Sequence, residues 1–496
     1  MTDISIDKFD ESFMVIHTSS DGILYDMNDF FAYFVKDYKH MPKYKFGIWD
    51  GKIRLLNITT HLMHSGLIHE VIKYALDNDY SLDIDPDFNL PDNTYTPIID
   101  VKSMIDGFNL PFTAHDYQVE AVEMILKHRK RLILSPTSSG KSLIIYSAIR
   151  ALLGVTGPPQ CRVLLVVPTT SLVEQMVGDF SDYSQNNDFN AEKMCHKIYS
   201  GREKRNDNPI TVTTWQSVYK KRAAWFENFD AVFVDEAHLA SADSITSIMD
   251  KCVNAKVRVG LTGTIEDTQT HKMSLIGLFG RLWETVTTKK LMDDGLVSKL
   301  MIKGIVFNHN DDERKLISTA EYLDEIDYII TDDRKNRFIA KLALRQPGNT
   351  LILFNLVERH GVPLFKLIND LNIDKNKDVF FISGDTPVKK REYIRAYTET
   401  HDNVIIVASY GTFSTGINIK NLDAAILAHP IKAKIKILQS IGRILRIGKS
   451  GKAVLYDLAS DFTWKSKTNT TMKHFKIRLK LYKAQKFDYT LSAVKL

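Results

Sequence analysis

Two apolar runs, each ending in a polar turn of a particular kind, constrain this chain more than any other feature. Leu132-Ile133-Leu134 leads into Ser135-Pro136-Thr137-Ser138-Ser139-Gly140-Lys141-Ser142, and Ala231-Val232-Phe233-Val234 leads into Asp235-Glu236-Ala237-His238. A short apolar run without alternation reads as a strand buried on both faces, the kind found in parallel sheets covered by helices. A Gly-Lys-Ser turn that opens a helix wraps backbone N–H groups around phosphates. Its lysine neutralises β/γ charge and its serine hydroxyl suits Mg²⁺. An acidic pair closing a neighbouring strand supplies one carboxylate for the metal and a second to polarise an attacking water. Together the two halves predict an ATP and Mg²⁺ site. In it Pro136, Thr137, Ser138, Ser139, Gly140 and Lys141 surround phosphate, Ser142 and Asp235 hold the metal, and Glu236 activates water.

The same rhythm continues on either side. Val163-Leu164-Leu165-Val166-Val167 and Arg258-Val259-Gly260-Leu261 read as further strands of a first βαβ domain. A second series follows in Thr350-Leu351-Ile352-Leu353-Phe354, Val379-Phe380-Phe381-Ile382, Val404-Ile405-Ile406-Val407 and Ala424-Ala425-Ile426-Leu427, with helical stretches such as 389–398 between them. Strands alternating with helices predict parallel sheets whose ligands lie at the carboxyl ends of the strands. The second series has no phosphate loop of its own. The expected division is an N-terminal α+β module over 1–100, α/β domains over 101–300 and 301–458, and a helical tail over 459–496. The turn-rich stretch Asp92-Asn93-Thr94-Tyr95-Thr96-Pro97 reads as a linker, and the polar segment 311–333 as a bridge between the two larger domains.

Charge is uneven. The chain carries +5 overall, but residues 1–100 hold 8 Lys+Arg against 17 Asp+Glu, which is −9, so the remainder carries +14. Residues 464–496 hold nine Lys/Arg and the single acid Asp488. A basic tail on a phosphate-handling chain fits a nucleic-acid partner, and equally a solvated tail that aids solubility. From Lys473 to Lys486, Phe475, Leu479 and Tyr482 recur at helical spacing with lysines on the other faces. No apolar run reaches the length of a membrane span, and the three cysteines, Cys161, Cys195 and Cys252, lack metal-ligand spacing, as in a reducing cytosolic setting.

Further landmarks fall in a fixed order: Val167-Pro168-Thr169-Thr170, Thr213-Thr214-Trp215-Gln216, Leu261-Thr262-Gly263-Thr264, Tyr410-Gly411-Thr412-Phe413-Ser414-Thr415-Gly416-Ile417 and Gln439-Ser440-Ile441-Gly442-Arg443-Ile444-Leu445-Arg446. In this order and spacing they resemble the motif set of superfamily 2 helicases and translocases over 112–458. The resemblance implies two tandem RecA-like motor domains. It also implies that Gln118 reads adenine, that Thr169 and Thr214 touch a nucleic-acid backbone, and that Gly416 allows close approach to nucleotide. Arg443 and Arg446 lie three apart, on one helical face. By resemblance they and Gln439 serve ATP hydrolysis from the second domain. Ser138 stands where many such loops carry glycine.

A narrower resemblance reaches the N-terminal stretch Tyr44-Lys45-Phe46-Gly47-Ile48-Trp49-Asp50-Gly51-Lys52-Ile53-Arg54 and the lysine-rich end, and is to the recombination and fork-remodelling helicases of T-even bacteriophages. It implies an ATP-driven enzyme on branched and single-stranded DNA and RNA–DNA hybrids, alongside recombination or replication proteins, in the cytoplasm of an infected bacterium. The residues support part of this. Positions 36–54 hold six Lys/Arg against two acids inside an acidic module, interleaved with aromatics. Lys43, Lys45, Lys52 and Arg54 suit phosphates, and Trp49 suits stacking on an unpaired base. The opposing expectation is a hairpin turning at Asp50-Gly51 with its aromatics packed inward. An RNA-directed helicase, a restriction-type translocase subunit and an inactive binding module remain open as alternatives.

Overall fold

The first residues alternate rather than run apolar, and they fold accordingly. Ile4 and Ile6 of Ile4–Lys8 (β1) and Met14 and Ile16 of Phe13–Thr18 (β2) are fully buried, while their neighbours face out. Period two gives a sheet with one wet face. With Leu62–His64 (β5) and Leu82–Ile84 (β6) they form a four-stranded sheet in the order β5-β2-β1-β6, antiparallel except for β1 beside β6. Ala32–Phe34 (β3) and Lys52–Arg54 (β4) pair separately, antiparallel. The helices Asp21–Phe30 and Ile68–Asp77 bury Leu24, Met27, Val71, Tyr74 and Ala75 on this sheet.

The continuous apolar runs become parallel sheets. Lys130–Leu134 (β7), Val163–Val167 (β8), Cys195–Ile198 (β9), Ile210–Thr214 (β10), Ala231–Asp235 (β11), Val257–Thr262 (β12) and Leu282–Glu284 (β13) are ordered β13-β7-β12-β11-β8-β10-β9. Every pairing among them is parallel. All five residues of β8 and of β11 are buried, and each of their Val, Leu and Phe side chains contributes about 1.5–3 kcal/mol. The second sheet has Lys299–Asn308 (β14), Thr350–Phe354 (β15), Asp378–Ile382 (β16), Val404–Ser409 (β17), Ala424–Leu427 (β18), Lys452–Asp461 (β19) and Asp488–Lys495 (β20). Its order is β16-β17-β15-β18-β19-β14-β20, again wholly parallel. The two parallel α/β sheets and the small α+β module match the expected fold class.

The computed structural model describes residues 2–88, 100–156, 161–199, 208–241, 243–265, 268–416, 419, 421–432, 437–438, 440–442 and 451–496. They make two compact units, Met1–Ser135 with Gly140–Thr285, and Pro136–Ser139 with Val286–Leu496. The expected linker at 92–97 lies outside the described residues.

Two local expectations are corrected. The polar segment 311–333 is not a bridge: β14 already belongs to the second sheet, and the segment forms the helices Asp311–Ile317 and Tyr322–Thr331 inside that unit. Its pattern is amphipathic, with Ile326, Ile329 and Ile330 buried. Even its acid Glu325 is buried, accepting hydrogen bonds from Thr470 N, Thr471 N and Thr471 Oγ1 at the start of the helix Thr470–Ala484, where a negative charge is favoured. That helix is the expected one in the tail and buries Phe475 and Tyr482. Beyond it the chain adds β20 to the sheet.

The other correction concerns Asp50-Gly51, which is not the tip of a hairpin. β3 and β4 are joined by a longer excursion containing the short helix Pro42–Lys45. Gly51, at φ +86°, instead lets the Tyr38 ring close over the backbone, where a Cβ would lie 2.3 Å from Cδ2.

The N-terminal module has its own core but shares it with Ile276 and Met273 of the first parallel-sheet unit. Polar contacts fasten the two: Glu11 to Lys130 at 3.0 Å, His64 to Asp250 at 2.9 Å, and Ser12 Oγ accepting from Arg258 Nη1 at 3.0 Å.

Candidate functional site

Parallel strands end on one edge, so segments far apart in sequence deliver their turns to one place. β7 delivers the phosphate loop, β8 Thr169, β10 Thr214, β11 Asp235 and Glu236, and β12 Thr262.

In the loop, Ser135 N–H donates to Thr262 O at 2.8 Å and ties β7 to β12 at this edge. Ser138 has φ +68° and Gly140 φ +80°. The serine thus occupies the left-handed region that glycine favours, at a cost of about 1 kcal/mol. Gly140 has a second reason to lack a side chain, since a Cβ there would lie 2.3 Å from Gln118 Nε2. Gln118 is buried against the loop, and its Oε1 accepts from His115 N at 2.9 Å, capping its own helix. Lys141 Nζ donates to Ser135 O at 3.4 Å and lies 4.0 Å from Glu236 Oε1. Ser142 Oγ lies 2.7 Å from the Tyr183 hydroxyl. Nothing local to Tyr183, at the end of the helix Thr170–Tyr183, announces this contact.

Asp235 is buried and Glu236 stands beside it with φ +53°, a strained turn that aims the second carboxylate off the strand. Burial, then the Glu236 charge, pushes Asp235 up to about 6, against the pull of Lys141. Two adjacent carboxylates that resist joint ionisation, beside a lysine and a serine hydroxyl, are a donor set suited to a hard divalent cation. Glu236 Oε2 lies 3.2 Å from His238 Nδ1, which lies 3.0 Å from Thr262 Oγ1. Glu236 is therefore linked through a buried histidine to the end of β12.

Thr169 caps the helix Thr170–Tyr183 by accepting from Leu172 N, and Thr214 Oγ1 lies 2.9 Å from Ser217 Oγ. Both hydroxyls are engaged locally, at the same sheet edge as the loop. Gly416 ends the helix Tyr410–Gly416. Gln439, Arg443 and Arg446 lie outside the described residues.

In the N-terminal module Lys43 and Lys45 are exposed. Lys52 reaches over the Phe34 ring at 5.2 Å, and Arg54 pairs with Asp50 at 2.7 Å. Trp49 is half-buried and donates its indole N–H to Lys52 O at 2.7 Å, so it braces the excursion. Of the large apolar groups that this module exposes, Phe46, at 76%, and Ile48, at 75%, are the most exposed, ahead of Leu76 and Phe9. Sequence reading placed Phe46 among the interleaved aromatics but could not separate it from Trp49, because both flank the same turn.

Comparison with known proteins agrees with this geometry. Residues 3–85 match the family model described as DNA helicase UvsW, N-terminal, residues 111–267 that of the type III restriction enzyme res subunit, and residues 334–448 the helicase conserved C-terminal domain. The chain is 35% identical over 497 residues to the ATP-dependent DNA helicase UvsW of enterobacteria phage T4, covering 96% of each. It is 24% identical over 434 residues to the DNA 3'-5' translocase XPB2 of Sulfurisphaera tokodaii, covering 79% of this chain and 89% of that one. The crystal structure of T4 UvsW is similar over 99% of both chains, with 32% identity and a TM-score of 0.52.

Proposed function

The chain belongs to the family of the ATP-dependent DNA helicase UvsW, and from that premise we propose that it spends ATP on remodelling branched DNA, namely four-way junctions, stalled forks, displacement loops and R-loops, in recombination, repair and replication. It is an ATP-dependent DNA helicase; the substrate class and the residue roles are the proposal.

Lys141 and the loop 136–142 bind the triphosphate, and Gln118 braces the loop while meeting the base. Ser142 and Asp235 would hold Mg²⁺, which would supply charge neutralisation at the phosphates. The Ser142 hydroxyl can donate to Tyr183, 2.7 Å away, and still offer a lone pair to the metal. Glu236 accepts the proton of the attacking water, and His238 relays its state to Thr262. Gln439, Arg443 and Arg446 serve ATP hydrolysis, a role carried by their motif. Thr169 and Thr214 steer the DNA backbone.

The observation that supports a branched substrate is the excursion between β3 and β4. It presents Phe46 and Ile48 to solvent beside Lys43 and Lys45, on a module fastened to the first parallel-sheet unit. Apolar groups of this size beside cations suit the unpaired bases and crowded phosphates of a junction.

The test is unwinding and binding measured in parallel on a four-way junction, a simple fork, single-stranded DNA and an RNA duplex. Replacing Lys43, Lys45 and Phe46 together is expected to weaken junction binding about tenfold, to lessen its salt dependence, and to leave ATPase without DNA unchanged. Equal unwinding of all four substrates, or an unchanged junction affinity in the triple variant, overturns the substrate reading.

A further inference from the structure

At the far end of β7 from the phosphate loop, positive groups gather without an acid. Arg131 lies in β7, and Arg281 immediately precedes its parallel neighbour β13. Leu282 pairs with Leu132, and Leu132 N–H donates to Arg281 O at 3.1 Å. This register sets Arg131 and Arg281 side by side on one face of the sheet, an arrangement in which like charges repel. Arg131 is only 8% exposed, and its shielded Nε has no hydrogen-bond partner.

Two histidines share the place. His128 ends the helix Asp116–His128, three residues before Arg131. His69 lies in the first turn of the helix Ile68–Asp77, which has no side-chain cap. The turn leading into that helix is pressed onto the backbone before Arg281: a Cβ on Gly66 would meet Ile276 O at 2.2 Å and Gly280 N at 2.8 Å. Burial, then the charges of Arg281 and Arg131, pushes His69 down to about 4. Burial, then Arg131, Lys127, His69 and Arg281, does the same to His128. Among the described residues none of the ion pairs within 4.0 Å takes up any of these four side chains; Glu11, beside the next residue of the strand, is committed to Lys130 at 3.0 Å and Lys8 at 2.7 Å.

A buried guanidinium left unpaired is costly, and a second guanidinium beside it raises the cost. An oxyanion resolves both, because two guanidinium forks and two imidazolium N–H groups match its oxygens. We propose that Arg131, Arg281, His69 and His128 form a phosphate-binding site in the seam between the N-terminal module and the first parallel sheet. Arg281 is exposed and the histidines are half-buried, so the site opens to solvent. The five residues of β7 separate it by roughly 15 Å from the phosphate loop, so the two are distinct sites. The phosphate comes either from a DNA backbone or from a free anion. The inference rests on strand register and burial, independently of the roles assigned around Lys141.

The test uses the full chain with saturating ADP, which occupies the phosphate loop, and sulfate as probe, whose charge is constant between about pH 5 and 7. The side-chain resonances of His69 and His128 are followed by NMR. Sulfate is expected to raise the pKa of both histidines by about one unit or more, and so to bind at least about threefold more tightly at pH 5 than at pH 7, because the bound imidazoles take up protons there. Arg281→Gln, at an exposed position, is expected to weaken sulfate about tenfold while ADP binding and basal ATPase stay unchanged; Arg281→Glu abolishes it. Displacement of sulfate by a DNA hairpin identifies the backbone as the source, and displacement by inorganic phosphate alone identifies a free anion. Histidine resonances that do not move with sulfate, or an Arg281→Gln chain that binds it as tightly as the unaltered one, overturns the site.

Discussion

The two seven-stranded parallel sheets share an architecture and differ in what they do with charge. At the carboxyl edge of the first, Lys141, Asp235 and Glu236 face one another in a turn strained at Glu236. At the corresponding edge of the second, past β15 and β18, the buried ionisable groups include Lys335, His360 and His429. Burial holds them down to about 7, 3 and 4 respectively. Lys335 Nζ donates to Ala428 O at 3.3 Å, and the two imidazole rings lie 5.9 Å apart. One edge confronts carboxylates with a lysine; the other encloses two neutral histidines and a lysine that loses its charge near neutrality. A sheet topology therefore carries no chemistry by itself, and the turns at its carboxyl edge do.

The largest expected effect tests the first edge. Glu236→Gln keeps the shape and removes the proposed base, so steady-state ATP turnover should fall about a hundredfold to ten-thousandfold while ATP binding, read with a fluorescent analogue, persists. Turnover within a few-fold of the original would erase the contrast between the two edges.

The next effect concerns charge used purely for structure. Arg478, 2% exposed, forks onto Asp457 at 2.7 and 2.8 Å and donates to Ile431 O, while Tyr482 donates to Asp457 Oδ2 at 2.8 Å. Arg478→Ala leaves a buried carboxylate unpaired and should cost about 3–5 kcal/mol in denaturant unfolding. A loss of DNA affinity without loss of stability would instead make Arg478 part of the basic surface formed by Lys473, Lys476, Lys480 and Lys483, which are exposed on the same helix.

Lys335 sharpens the comparison through pH. Its folded pKa, about 7, lies below the ordinary 10.5, so the unfolded chain binds the extra proton across that window and stability rises with pH between the two values. Between about pH 7 and 9 this contributes on the order of 2 kcal/mol. Lys335→Met should remove that part of the rise in urea unfolding measured at both ends.

The smallest effect lies in the loop. Ser138→Gly relieves the left-handed strain and should stabilise the folded chain by about 1 kcal/mol or less in denaturant unfolding, with KM for ATP and kcat nearly unchanged.

Several elements were legible in the sequence because their evidence is local. Leu132-Ile133-Leu134, Val163 to Val167, Val232-Phe233-Val234 and Thr350 to Phe354 are apolar without alternation, and only a strand covered on both faces suits them. The Gly-Lys-Ser turn and the acidic pair carried their chemistry in residue type and spacing alone. Other elements carry no such signal. Asp488–Lys495 is almost wholly exposed, and it is a strand only because β14 offers it a ladder. Cys195–Ile198 and Leu282–Glu284 are too short for their period to be read.

Side-chain partners divide in the same way. The sequence by itself determined that a phosphate loop, an acidic pair and a basic tail exist, because residue identity and apolar period are properties of one segment. Only the tertiary structure decided that Arg478 of that tail turns inward to Asp457, that Tyr183 meets Ser142, that Trp49 is braced while Phe46 is bare, and that Arg131 and Arg281 lie abreast. Each of these is a choice between distant segments, made by strand register and packing, and a single segment's periodicity holds no record of which neighbour it will meet.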